Sequence, residues 1–175
     1  LLSLLTVFIL KAYPYAPIQL TLLSSLCIGF PSFILSLEPN YEIVKGNFLA
    51  NVLSYALPSA ISIIIAIIIS EIAANLNLID YEAMGTIITL LSSVIMIFNI
   101  YTISKPLSPI RLILIIIAII GMIIAFTLLK ELFYFTSLDI GDIIFVIILS
   151  IIEVIMLKIT SALNLSSSFA QKLDE

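Results

Sequence analysis

Four stretches of this sequence, residues 17–37, 52–70, 83–103 and 112–129, run for 18 to 21 residues without a charged side chain, and a fifth, 143–160, contains only two. Nothing else in the chain constrains its fold as strongly. A helix rises about 1.5 Å per residue, so some 20 apolar residues match the roughly 30 Å hydrocarbon core of a bilayer. Repeated at this length with short polar turns between, the pattern predicts an all-α polytopic transmembrane helical bundle. Composition agrees, since 62% of the 175 residues are hydrophobic and 10% charged. A water-soluble domain of this size has no interior large enough for so much apolar surface.

Leu1 already lies inside an apolar run, residues 1–10, which reads as the last half of a further span. A translation product would open on Met, so the chain is expected to be cut from a longer one. The membrane domain is then 1–163, with about five full spans plus this half-span, and 164–175 is a short cytoplasmic tail. Turns separate the spans: Lys11 to Tyr15, an amphipathic link over 41–51 with Glu42 and Lys45, polar hairpins at 71–82 and 130–142, and a two-proline loop at 104–111. Lys and Arg decide orientation. Lys45, Lys105, Arg111, Lys158 and Lys172 fall on one side and Lys11 and Lys130 on the other, which predicts a multi-pass plasma-membrane protein with a cytoplasmic C-terminus. Tyr13, Tyr15, Tyr81, Phe133, Tyr134 and Phe135 then gather at the outer ends, as an interfacial aromatic belt does.

The lone Cys27 rules out an intrachain disulfide or a multi-cysteine metal cluster, and the lack of histidine removes imidazole chemistry. No phosphorylation motif and no glycine-rich phosphate loop is present, so these 175 residues alone hold no site for ATP hydrolysis. No cofactor and no nucleic-acid partner is expected for this stretch.

The second span is unusual. Ser24, Ser25, Cys27, Gly29 and Pro31 sit near its middle. Pro31 has no N–H to give the carbonyl four residues back, so Cys27 loses its normal partner. A freed carbonyl at membrane depth must be met by a neighbour, water or a cation. With two hydroxyls and a thiol in the preceding turns, this is a recipe for an intramembrane ion site, and equally for a structural kink whose serines bond their own backbone.

The order Pro17-Ile-Gln19-Leu20, Gly29-Phe30-Pro31 and Leu37-Glu38-Pro39 resembles the sixth transmembrane helix of P-type cation-transporting ATPases of the calcium-pump-like branch, and Pro-Leu-Ser-Pro-Ile-Arg111 is similar to a loop between later helices of bacterial members. The resemblance implies a chain running from the end of helix five through helix ten. Carried over, the family's ion-binding Asn, Thr and Asp fall on Ser24, Cys27 and Ile28, so the carboxylate is missing here. Hydroxyl and carbonyl oxygens remain, and the thiol suits a softer metal. The family implies a parent with ATP, Mg and an aspartyl-phosphate intermediate, whose N-terminal and cytoplasmic domains are this chain's partners together with the lipid bilayer and the transported cation. A stand-alone polytopic protein, such as a piece of a secondary transporter or an accessory subunit, is the alternative, as is a lipid-flipping relative.

Three further polar positions stand out. Glu153 is an acid well inside a span, read chiefly as a packing residue. Asn99, with Ser92 and Ser93, is expected to bond between helices. Glu71, at a helix end, is expected to be solvated.

Overall fold

The computed structural model describes residues 13–38, 48–105 and 107–162. The half-span 1–10, the link around Glu42 and Lys45, and the tail 164–175 lie outside the described residues. Five helices are described, each long and apolar enough to cross a membrane. They are α1 (Pro17–Leu37), α2 (Phe48–Asn75), α3 (Met84–Ile103), α4 (Pro109–Thr127) and α5 (Ile140–Ala162). The all-α bundle expected from the hydropathy pattern is what forms.

The helix ends follow local chemistry. Pro17 and Pro109 open α1 and α4 at positions where a helix has no use for the missing N–H. Ser108 caps α4, its hydroxyl accepting from the Arg111 N–H at 3.3 Å. α2 runs past the polar boundary suggested at Glu71, because Ala73 and Ala74 extend it to Asn75. It stops where Asn77 takes φ 55°, with Leu78 N–H donating to the Ala73 carbonyl and Asn77 N–H to that of Ala74. Tyr134, at φ 54°, closes the turn after α4 in the same way, with Phe135 N–H on the Lys130 carbonyl.

α3 is the hub, packed against each of the other four helices, and Ile87, Ile88, Leu91 and Ile95 are fully enclosed. Lipid tails are as apolar as these side chains, so close fit rather than escape from water holds the helices together. Small residues on α2 and α4 let these neighbours come close to the large side chains of α3. On α2 the buried stripe reads Ser59, Ser62, Ala66, Ser70 and Ala73, at intervals of three or four. On α4 it includes Ala118 and Ala125, beside Gly121, where a Cβ would stand 2.9 Å from the Leu26 methyls of α1. The outer faces of α4 and α5 are rows of exposed isoleucine.

The aromatic residues correct the belt expected from sequence. Tyr13, Tyr81 and Tyr134 are exposed, but Tyr15 and Phe135 are buried. Phe135 stacks on Phe126 with centroids 4.2 Å apart, and the Tyr15 hydroxyl bonds Ser92 Oγ at 2.6 Å. Hydrogen bonds and ring stacking available within the bundle draw these two inward.

Gly121→Leu should overpack the α1–α4 contact and cost about 1–3 kcal/mol, read as a lower midpoint of thermal unfolding in detergent micelles. An unchanged midpoint would mean that α4 does not approach α1 this closely.

Candidate functional site: the widened turn of α1

α1 is one span in three parts. An α-helix over Pro17–Ser24 passes into a π-helical turn at Ser25–Gly29 and resumes as α-helix over Phe30–Leu37. In this turn Phe30 N–H donates to the Ser25 carbonyl, five residues back, instead of to Leu26. Pro31 then has no N–H for Cys27. Two successive carbonyls, Leu26 and Cys27, thus have their α-helical donors diverted or missing. They sit about midway along the span, where lipid offers no replacement. Sequence reasoning identified the proline's effect on Cys27; the widened turn adds Leu26.

The side chains around the break divide. Cys27 is 5% exposed, faces the core and lines a groove between α1 and α2 whose floor is α3. Ser24 and Ser25 are exposed. The Ser24 hydroxyl donates to the Leu20 carbonyl at 2.6 Å, with the Thr21 carbonyl 3.2 Å away, so it bonds its own helix. A Cβ at Gly29 would lie 3.5 Å from the Ser24 carbonyl oxygen, an ordinary contact, so a small side chain would fit there. The groove holds about 680 Å³. Its polar lining is Cys27, Ser32, Ser59 and Asn99, and Asn99 Nδ2 donates to Ser59 Oγ at 2.6 Å. Asn99 therefore bonds between helices as expected. Among the described residues no group of three acids or cysteines is close enough to hold a metal ion, so backbone carbonyls, hydroxyls and the thiol are the oxygen and sulfur donors available here.

Both ends of α1 are pinned. At its entry end Gln19 is 2% exposed. Its Oε1 accepts from Ala16 N–H at 3.0 Å and lies 3.2 Å from the Thr89 hydroxyl, whose nearer acceptor is the Gly85 carbonyl at 2.7 Å, and its Nε2 donates to the Phe133 carbonyl at 3.2 Å. At the exit end Arg111 Nε donates to Glu38 Oε2 at 2.6 Å, and the Ser108 hydroxyl donates to Glu38 Oε1 at 3.0 Å. The Arg111 hydrogen bond holds the Glu38 carboxyl below the ordinary carboxylate range, partial burial opposes it, and the Ser108 bond adds to the lowering. This lock joins Glu38, at the end of α1, to Ser108 and Arg111 at the start of α4, residues of two motifs that lie far apart in the sequence. Opposite charges flanking neighbouring spans on the same side were the available signal.

Glu71 is not solvated as expected. It is 7% exposed with Oε2 unpartnered among the described residues, because α2 continues past it into the bundle.

A depressed acid stabilises the fold above its unfolded pKa and loses that contribution as pH falls through the folded value. Wild-type protein should therefore be more stable than Glu38→Gln at neutral pH, with the gap closing below about pH 4, as followed by thermal unfolding across a pH series. A gap independent of pH would remove the ion pair as its cause.

Comparisons with known proteins find relatives over part of the chain. No family model and no solved structure matches the chain. Over 56 residues the chain is 38% identical to the probable cation-transporting ATPase exp7 of Streptococcus pneumoniae, and over 62 residues 40% identical to the calcium-transporting ATPase CtpE of Mycolicibacterium smegmatis. CtpE of Mycobacterium tuberculosis is 37% identical over 62 residues. The matched stretches cover 32–35% of this chain and 7–8% of those relatives. Over about a third of its length, the chain is thus similar to P-type cation-transporting ATPases, as the order of its motifs implies.

Proposed function

We propose that the chain is part of the membrane domain of an ATP-driven pump that moves a cation across the plasma membrane, and that the widened turn of α1 forms part of the cation's path. The observation that carries this reading is the coincidence of a mid-span π-turn with Pro31, which frees carbonyl oxygens where a dehydrated cation needs ligands. Leu26 and Cys27 offer backbone oxygens and Cys27 a thiol toward the groove, while Ser24, Ser25 and Gly29 belong to the outer face of the same turn, where the Ser24 hydroxyl would have to leave the Leu20 carbonyl to reach a cation. The remaining helices support α1, α3 as a common wall and α4 by close contact at Gly121. The relatives' names add the transport of cations, and in two cases of calcium.

In such a pump, the parent's cytoplasmic domains bind ATP and Mg and form an aspartyl phosphate. Its making and breaking drive alternation between two states. α1 is suited to pass that motion on. Gln19 and Glu38 fix its two ends, and the middle, weaker in backbone hydrogen bonds, is where a change of register costs least. The Glu38–Arg111 end faces the cytoplasm on this reading, by the Lys and Arg census, and the C-terminus lies on the same side.

Replacing both Ser24 and Cys27 with alanine in the full-length pump should weaken cation-dependent dephosphorylation by about tenfold, the effect of some 1.4 kcal/mol of lost ligand energy, while phosphorylation from ATP persists. Unchanged cation dependence would take both side chains out of the path.

A further inference from the structure

The groove between α1 and α2 runs along one face of α3. Its floor includes Asn99 and Ile103, and its α2 wall includes Ala56 and Ala60. The polar groups in it have partners: the Ser32 hydroxyl donates to the Ile28 carbonyl at 2.6 Å, and Asn99 Nδ2 to Ser59 Oγ at 2.6 Å. What remains is a mostly apolar trough of about 680 Å³ at membrane depth.

Above the groove, the same face of α3 holds the chain that leads into α1. Gly85, Ser92, Asn99 and Ile103 follow one another at intervals of seven, seven and four, a single stripe of a helix. A Cβ at Gly85 would stand 3.7 Å from the Pro14 carbonyl oxygen, and the Tyr15 hydroxyl bonds Ser92 Oγ at 2.6 Å. The turn before α1 is therefore seated over the long axis of the groove, and the chain that precedes it starts from there.

Residues 1–10, outside the described residues, read LLSLLTVFIL and carry no charge. Ten helical residues rise about 15 Å. Cys27, at the inner end of the groove, likewise lies ten residues from Pro17, where α1 begins. A helix folding back from the 11–15 turn thus reaches the level of Cys27, while the exit half of the groove is beyond it. Two features favour this occupant over a lipid chain or a second copy. Ala56 and Ala60, with three residues between them, form the small pair that lets another helix backbone come close. A segment already tethered beside the groove also acts at a high effective concentration.

We infer that the apolar run 1–10 docks as a helix along this stripe of α3, between α1 and α2, with its first residues covering Cys27 and the inner end of the groove. The packing does not depend on the cation path; the run's further role, as the wall facing the widened turn, rests on the pump reading above.

Cys27 is the single cysteine of the chain and serves as a fixed partner for a scan. Leu2→Cys, Ser3→Cys, Leu4→Cys and Leu5→Cys, which together sample every face of a helix, are made one at a time in the intact chain in phospholipid vesicles. Each is oxidised with copper phenanthroline, and peptide mass spectrometry reads the intrachain disulfide to Cys27, which needs Cα atoms within about 7 Å. At least one of the four should form it several-fold more than Phe8→Cys or Ile9→Cys, nearer the entry end. Ile113→Cys, on the exposed face of α4, should not form it. Ser3→Cys exchanges oxygen for sulfur, and thermal unfolding of each variant checks that the fold is kept. Failure of all four, or yields no higher than at Phe8→Cys and Ile9→Cys, would overturn the docking. Disulfides linking two chains instead would assign the groove to a second copy and overturn it as well. No transport enters the readout, so its failure is distinct from failure of the cation path.

Discussion

Within a bilayer's hydrocarbon core, each backbone N–H and C=O must find its partner in the chain itself, because an unmet polar group there costs several kcal/mol. Almost every feature of this fold follows from that requirement. It makes all five described spans helical and pushes the turns to the ends. It also explains why Asn77 and Tyr134 accept left-handed conformations, since each lets the last carbonyls of a helical turn find donors. α1 stands apart because its α-helical hydrogen-bond ladder is interrupted at its centre. There the Ser25–Gly29 turn and Pro31 withdraw donors from two neighbouring carbonyls.

Such a break persists only when its surroundings hold it. Gln19 ties the start of α1 to α3 and to the turn before α5, and Glu38 ties its end to the loop before α4. Between these ties, Cys27 packs into the core and Leu26 meets the bare backbone of Gly121. The central helix α3 contributes at every level, giving Thr89 to the entry end, Ser92 to Tyr15 and Asn99 to the α2 contact. Polar groups along one enclosed helix thus help to position its neighbours, beside the close packing around Ile87, Ile88, Leu91 and Ile95. In a membrane, interhelical hydrogen bonds average below about 1 kcal/mol each, so it is their number along α3 that gives them weight.

The fold class was legible in the sequence because span length and hydropathy are properties of the chain alone. The break in α1 was legible as well, since Pro31 acts through its own covalent structure. What sequence did not reveal depends on residues distant in the chain. Glu38 and Arg111 are 73 positions apart, and Tyr15 and Ser92 are 77. Tyr15 and Phe135 read as interfacial aromatics because composition cannot distinguish a ring facing headgroups from one drawn inward by a partner. Glu71 read as a solvated helix end because the continuation of α2 to Asn75 depends on where Asn77 can close it. The direction of Ser24 was likewise undetermined: its hydroxyl turns to its own backbone, whereas Cys27, three residues on, faces the groove.

The claim on which this account rests is that the opening in α1 is a ligand site for a cation. Pro31→Ala tests it most directly, because it restores a backbone donor for the Cys27 carbonyl while changing little else. The measurement is cation affinity of the full-length pump, read from the concentration dependence of phosphoenzyme turnover, with protein folding checked in parallel by thermal unfolding. The account predicts an equally or more stable protein whose apparent affinity for the transported cation is weakened. A variant that is just as stable and binds the cation with unchanged affinity would show that the widened turn is a kink in the scaffold and that the cation passes elsewhere.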